Sequence, residues 1–577
     1  MKTITLLLAA CSMGICDSPA QVAKSPLLHE ASAPQKPEKD PKTVQSVHAG
    51  DYLASHFAQQ MHDWDNATKF IDHLRESGIE QPDILRRAMV LSMGSGHPAK
   101  ALALAKEIIS QENDGNISIA QMFLITEAFH DENYKKALEL IDAMPEDSTA
   151  KFVKPYAHAW AEAGLGKIDI SALRENTMQI YHAILISDYL DDHKEISKIL
   201  DSALQVEDIS ASELERIADV FAHIGMKDKA LGIYNRILKE WPEDTQINDK
   251  ISDLQNGTNT PLFQQVKTPR IGMARAFFDI AQTLYQEYND DSARIFAQLS
   301  LYLAPDMTES KLIMAHISGR HHQYDDAVAY YKGIPEDHEE YLNARYKIAD
   351  IYEDSGRINQ ALDILQDLAV HHNDIEARIR IGDIHRRQGE YGQALEAYNT
   401  ADKTLGGKIP SDYWHLLYVR GMVYEQIGEW DKAEADLKEA LNYRPDHPFI
   451  LNYLGYAWAD QGIHLKEALN MIQRAVDLRP TDGFIVDSLG WVKYRMGDYK
   501  GATPILEQAV ALMPYDPTIN DHLGDAYWQV GRKMEARFQW KRAKNHTDDP
   551  KIIEELQQKL VSGLKAADPV QEARNKK

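Results

Sequence analysis

The chain has 577 residues, with 63 Lys and Arg against 88 Asp and Glu, and a formal net charge of -25. Phosphate binding wants a basic surface, so this balance argues against nucleic acid as a partner. Its 44% hydrophobic content supports a folded core, while two cysteines, both within the first 16 residues, cannot staple one.

The start, "MKTITLLLAACSMGICDSPAQ", has one lysine, a short apolar run and then Leu8-Ala9-Ala10-Cys11. This resembles a bacterial lipobox, so residues 1–16 read as a signal segment with Cys11 as the lipid-bearing residue. Cleavage after Ala20, leaving a soluble exported protein, and an uncleaved apolar start are the other readings. Cys16 fits a lipobox poorly because Ile15 precedes it. Residues 17–45 are rich in Pro, Ala, Ser and Lys without periodicity and read as a flexible tether. No later run reaches the roughly 20 apolar residues that span a bilayer.

From about residue 46 onward a helical hairpin recurs. "HDWDNATKFI", "GHPAKALALA" and "DENYKKALEL" place alanines at 67, 101 and 137, and "IGMKDKALGIYNRILKEWP" places another at 230. The stretch 150–205 is helical in pattern but lacks the accompanying glycine and proline. "DLQNGTNTPLFQQVKTPRIG", residues 253–272, reads as a loop or hinge between a divergent array over 46–252 and a regular one over 273–545. In the second array Ala293 and Ala327 are followed by alanines at 361, 394, 433, 468, 502 and 536, mostly 33 to 35 residues apart. Gly382, Gly421, Gly455, Gly490 and Gly524 precede the turns, and Pro445, Pro480 and Pro514 close three units twelve residues after their alanines. Glycine in a helix interior costs roughly 1 kcal/mol against alanine, so it belongs where two helices approach closely. Residues 546–565 form an amphipathic capping helix, and 566–577 read as a disordered tail.

A 34-residue unit of two helices with small residues at the contacts and a closing proline is the tetratricopeptide signature. About eleven such units predict an all-α, right-handed superhelical solenoid. Placing Gly490 at the close helix contact aims Phe484, Asp487, Trp491 and Tyr494 at the concave side. Phe449, Asn452 and Tyr456 of the preceding unit, and Asp521, Asp525 and Trp528 of the following one, join them. Aromatic rings beside hydrogen-bonding groups suit peptide capture.

The sequence has no P-loop, no HExxH and no GxSxG elbow, and the expectation is a non-enzyme with no catalytic residues, metal or cofactor. Ser95 in "MGSGHP" falls at a turn. His321-His322, His371-His372 and His338-Glu339-Glu340 read as exposed helix residues, since adjacent residues on a helix point about 100 degrees apart. An enzyme hidden in 145–210 is a minor alternative.

The blocks "FILNYLGYAWADQGIHLKEALNMIQRAVDLRP", "DSLGWVKYRMGDYKGA" and "INDHLGDAYWQVGRKMEARFQWKRA" resemble the large tetratricopeptide lipoproteins of proteobacterial envelopes. Among these the chain is similar to the outer-membrane adaptor of a carboxyl-terminal processing protease, best over about 270–545. The resemblance implies a scaffold on the periplasmic side of the outer membrane that brings a protease and its cell-wall hydrolase substrates together. Similar lipoproteins also serve exopolysaccharide or pilus export.

Overall fold

The computed structural model describes residues 41–564 without 80, 112–116, 147, 193–195, 197, 200–208, 243 and 258–265. The expected signal segment with Cys11, most of the tether and the tail 566–577 lie outside these residues. Among the described residues every extended regular element is a helix, and none is long and apolar enough to cross a membrane. The fold is an all-α solenoid of tetratricopeptide hairpins. Two compact units divide it, one ending at Ile351 and one beginning at Tyr352.

Unit 1 opens with the hairpins α1 (Pro41–Gln60) and α2 (Trp64–Glu76), α3 (Pro82–Gly94) and α4 (Pro98–Gln111), and α5 (Ser118–His130) and α6 (Tyr134–Asp142). Then follow α7 (Ser148–Gly164), α8 (Thr177–Tyr189), α9 (Ala211–His223), α10 (Lys227–Glu240) and α11 (Thr245–Asn256). The next hairpins are α12 (Pro269–Gln286) with α13 (Asp290–Leu303), and α14 (Thr308–Arg320) with α15 (Tyr324–Lys332). α16 (Tyr341–Asp354) carries the boundary between the units. The helix α1 begins at Pro41, so 41–45 is helical where a tether was expected; proline at a first helical position costs nothing, since its missing N–H would be unpaired there anyway.

The segment 253–272 is helical at both ends. α11 runs to Asn256 with Gly257 left-handed behind it (φ 65°). Thr268 accepts a hydrogen bond from the Ile271 amide at 3.2 Å and Pro269 opens α12. Thr268-Pro269 is thus a helix start rather than loop composition. Nor do the units divide here: residues 273–351 pack with unit 1.

The reason is the hairpin α12–α13, which lies against the first helices of the earlier hairpins. Arg294 Nε donates to the Gly94 carbonyl at the end of α3 at 2.7 Å, and its guanidinium stands 5.6 Å from the Trp64 ring. Tyr302 stacks on His130 of α5 at 4.6 Å, and Phe296 meets Phe152 of α7 at 6.4 Å. A Cβ on Gly272 would come within 2.5 Å of the Trp160 ring, so only glycine lets α12 approach α7 this closely. At α8, His182 Nε2 meets Asp279 Oδ2 at 3.2 Å while Nδ1 accepts the Trp160 indole N–H at 3.0 Å. The turn of α1–α2 closes the circuit: His62 bonds Asp291 at 3.0 Å and stacks on His321 at 3.4 Å. One continuous core cluster therefore runs from Ala58 to Ile317.

Unit 2 contains α17 (Ile358–His371), α18 (Ile375–Arg387), α19 (Tyr391–Thr404), α20 (Trp414–Gln426), α21 (Trp430–Tyr443), α22 (Pro448–Gln461) and α23 (Leu465–Leu478). It ends with α24 (Gly483–Arg495), α25 (Tyr499–Leu512), α26 (Pro517–Gln529), α27 (Lys533–Asn545) and α28 (Pro550–Ser562). The marker alanines 361, 394, 433, 468, 502 and 536 are all fully buried. Each repeat glycine seats the residue four positions after its alanine: a Cβ at Gly490 would stand 2.5 Å from Leu506, and at Gly455 2.7 Å from Ile472. Asp482 and Asp516 cap α24 and α26 through the amides of Ile485 and Ile519 at 3.4 and 2.9 Å. The core of this unit is divided into several clusters of neighbouring helices.

Candidate partner-binding site

The 34-residue frame sets the first helices α22, α24 and α26 side by side, so equivalent residues form rows. Asn452, Asp487 and Asp521 make one row, Tyr456, Trp491 and Asp525 the next, and Tyr494 and Trp528 a third. Within them Trp491 is held between two nearly parallel rings, His522 at 4.0 Å and Tyr494 at 4.8 Å. Such stacks fix a large amphipathic side chain in one orientation.

His522 is the residue that sequence reasoning missed. Its Nδ1 lies 2.8 Å from Asp487 Oδ2, and both side chains are buried. Burial pushes the imidazole down, but the charge and hydrogen bond of Asp487 outweigh it and hold the ring above its ordinary value. The carboxylate beside it thus favours the charged form of His522, whose Nδ1–H would donate to Asp487. A histidine directly after a row position was the only signal, and it points to nothing without the stacking geometry.

The same face carries polar atoms that the described residues leave unpaired: Asn452 Oδ1, Asp487 Oδ1 and Trp491 Nε1. Buried polar groups are almost always bonded, so such a set on one surface marks a place where water or a partner completes the bonding. Tyr456 lies within electrostatic reach of Asp460 and Asp487, and burial pushes its hydroxyl well up. Tyr453 donates to Glu425 at 3.1 Å and meets Tyr418 edge-on at 6.0 Å, extending the aromatic surface one unit back. Phe449 and Phe484 stand at the helix starts, 40% and 53% exposed, with Arg479 over the Phe449 ring at 4.9 Å.

At the far end the arrangement differs from an open groove. Lys559 of α28 reaches Asp521 at 2.7 Å and Asp525 at 2.9 Å, and the Trp540 indole donates to Asp525 at 2.8 Å. Trp528 packs against the backbone of Gly563 and against Trp540 at 5.3 Å. Asp521, Asp525 and Trp528 are therefore covered by the chain itself. Lys559 stands 34 residues after Asp525. Extending the repeat frame into the capping helix would have found it.

Elsewhere the candidate chemistry resolves into local structure. Ser95 Oγ donates to the Leu91 carbonyl at 2.9 Å, capping α3, and its 3.1 Å contact with His97 is two residues away. His321 is not an exposed helix residue: it ends α14, bonds Asp290 at 2.7 Å and stacks on His62, because the turn of α1–α2 packs there. A concavity of about 580 Å³ at 146–175 includes Lys154, His158, Asp169 and Ser171, whose groups pair among themselves and with Glu146. No group of three or more His, Cys, Asp or Glu suited to a metal ion occurs among the described residues.

Comparison with known proteins follows the same frame. Tetratricopeptide-repeat family profiles match residues 214–244, 346–407 and 414–447. A 111-residue segment is 38% identical to a TPR repeat-containing protein of Pseudomonas aeruginosa, covering 19% of each chain. The match thus spans about a fifth of that relative. Among solved structures, the APC/C hetero-tetramer Cut9-Hcn1 is 14% identical over 91% of this chain and 98% of that one, with a TM-score of 0.37. A thermophilic TPR protein from Thermus thermophilus is 21% identical over 33% and 100%, with a TM-score of 0.29. MamA from Desulfovibrio magneticus RS-1 is 18% identical over 30% and 97%, with a TM-score of 0.26. The chain carries tetratricopeptide repeats, units that bind other proteins or peptides and generally serve as non-catalytic scaffolds.

Proposed function

We propose that the chain is an adaptor of the bacterial cell envelope that recruits a periplasmic carboxyl-terminal processing protease, murein hydrolase substrates, or both. The observation that carries this reading is the face of α22 and α24, where a stacked Trp491 and unpaired polar atoms sit together on rigid helices. Lipid on Cys11 would hold the chain at the periplasmic side of the outer membrane; the lipobox-like "LAAC" supports this. Holding enzyme and substrate on one surface makes their encounter intramolecular and can raise apparent affinity by roughly 10² to 10⁴ without any bond-breaking residue.

The test is binding of purified processing protease and of a murein hydrolase to the full chain and to its Trp491→Ala variant. A loss of about 2 kcal/mol or more in binding, with a stability loss nearer 1 kcal/mol, is the expected result. Binding of neither protein to the natural chain overturns the partner assignment. Association with an outer-membrane barrel instead, with secretion lost and proteolysis intact when the chain is absent, would assign it to exopolysaccharide or pilus export. Labelling with a radioactive fatty acid, compared with Cys11→Ala, decides the anchor.

A further inference from the structure

α28 sits in the place of another first helix, yet it is anchored by far less. Leu556 is its one fully buried side chain, whereas α18, α20, α22, α24 and α26 bury between four and eight residues each. Among the described residues no helix follows it, and Val561 is 74% exposed. Ile552 and Leu560, with Leu564 just beyond, pack against the same cluster only in part, and the rest of the hold is polar: Lys559 between Asp521 and Asp525, Lys544 on Gln557 at 2.5 Å, and Arg537 on the Leu560 carbonyl at 3.3 Å.

We infer that the surface beneath α28, formed by α26 and α27, is a docking site for an amphipathic helix of a partner that presents a leucine and a lysine three residues apart, a place that α28 occupies in cis. This rests on the reading of unit 2 as the partner-binding surface and names what its far end would take. The seat has two parts. An apolar slot takes Leu556 into the cluster of Leu523 and Trp540, and two carboxylates one helical turn apart take Lys559. Leu and Lys three residues apart on one helix face are what the slot selects. Without a cation the carboxylates repel each other: burial and the neighbouring Asp521 already push Asp525 up to about 6. The surface is continuous with the Trp491 face, because His522 on α26 bonds Asp487 and stacks on Trp491. A helix with one buried anchor opens more readily than those beneath it.

Hydrogen exchange on the unaltered full chain gives the first measurement. Amides of 550–562 should exchange together, at least about tenfold faster than those of 517–545. Equal protection of the three helices overturns the inference. The second measurement uses a fluorescent synthetic peptide of residues 549–564 and the full chain carrying Leu556→Ala with Lys559→Ala. The peptide should bind this variant at least about tenfold tighter than it binds the natural chain, and a peptide carrying Lys559→Glu should bind neither. Peptide binding to neither chain, or α28 exchanged between two copies in a dimer, overturns it. Failure of the peptide with protease capture intact removes only this inference. Failure of protease capture with the peptide result intact removes only the adaptor reading.

Discussion

Units 1 and 2 are built from the same hairpin and use its inner face in opposite ways. In unit 1 the first helices α3, α5 and α7 press against the chain's own hairpin α12–α13, through Gly94, His130 and Trp160. In unit 2 the corresponding face of α22 and α24 keeps a ring stack and, just beneath its surface, buried polar atoms that no described residue pairs. Repeat architecture alone thus does not say where a partner can bind. What decides it is whether a later part of the sequence returns to fill the face. A filled face yields one long-range core, and an open one yields nearest-neighbour clusters that add up along the array.

The sharpest break of this comparison is Asp279→Ala. Asp279 is 2% exposed and shared by His182, Arg216 and Arg275, so its removal takes away the one carboxylate common to all three and leaves the buried His182 Nε2 without its acceptor. A loss of about 3–5 kcal/mol is expected in the unfolding transition of unit 1, with that of unit 2 unmoved. Urea titration followed by hydrogen exchange separates the two. Equal loss in both units would mean that they unfold as one.

Acid and base should then split the units in opposite directions. Burial raises the Asp279 carboxyl, but the His182 hydrogen bond and the charges of Arg275 and Arg216 outweigh it and leave it at about 2. Its contribution is present above the unfolded value of about 3.9 and is lost as pH falls towards 2. Asp525 is raised to about 6 and His522 lies above its usual value, so their contributions are complete at low pH and fade as pH rises through 6 and beyond. Between pH 5 and 8, melting of unit 2 should therefore weaken while the Asp279 contribution to unit 1 stays constant. A thermal scan in which unit 2 strengthens over that range contradicts the assignment.

Smaller effects sharpen the repeat geometry. Gly490→Ala places a methyl group 2.5 Å from Leu506 and should cost about 1–3 kcal/mol in unit 2, despite alanine's better helix propensity. Asp516→Ala removes the cap on α26 and should cost about 1 kcal/mol, read as faster exchange in its first turn.

Much of this was legible in the sequence because repeats test themselves: an alanine every 34 residues or so predicts burial, and each marker alanine is buried. The frame also placed Asp487, Trp491 and Tyr494 on one face. What it could not give was long-range return of the chain. α13 is buried all round, its polar residues Arg294, Gln298 and Ser300 included, so an amphipathic pattern that reads as one buried stripe and one solvated face hides a second buried side. The hinge reading of 253–272 weighed Asn, Thr and Gly, whereas the described ends of that segment are helical, with Thr268-Pro269 starting α12. Lys559 was missed because the frame was stopped at 545, one step short.

The hairpin that fills unit 1 also sets a clock on its synthesis. Helices α1 to α11 end at Asn256, but their inner faces are not covered until Leu303 has been made, 47 residues later. At about 5–20 residues per second the nascent chain must carry that apolar seat uncovered for roughly 2–10 s. A holding chaperone is needed most in that interval, and a ribosomal pause between 257 and 303 should raise aggregation more than the same pause within unit 2.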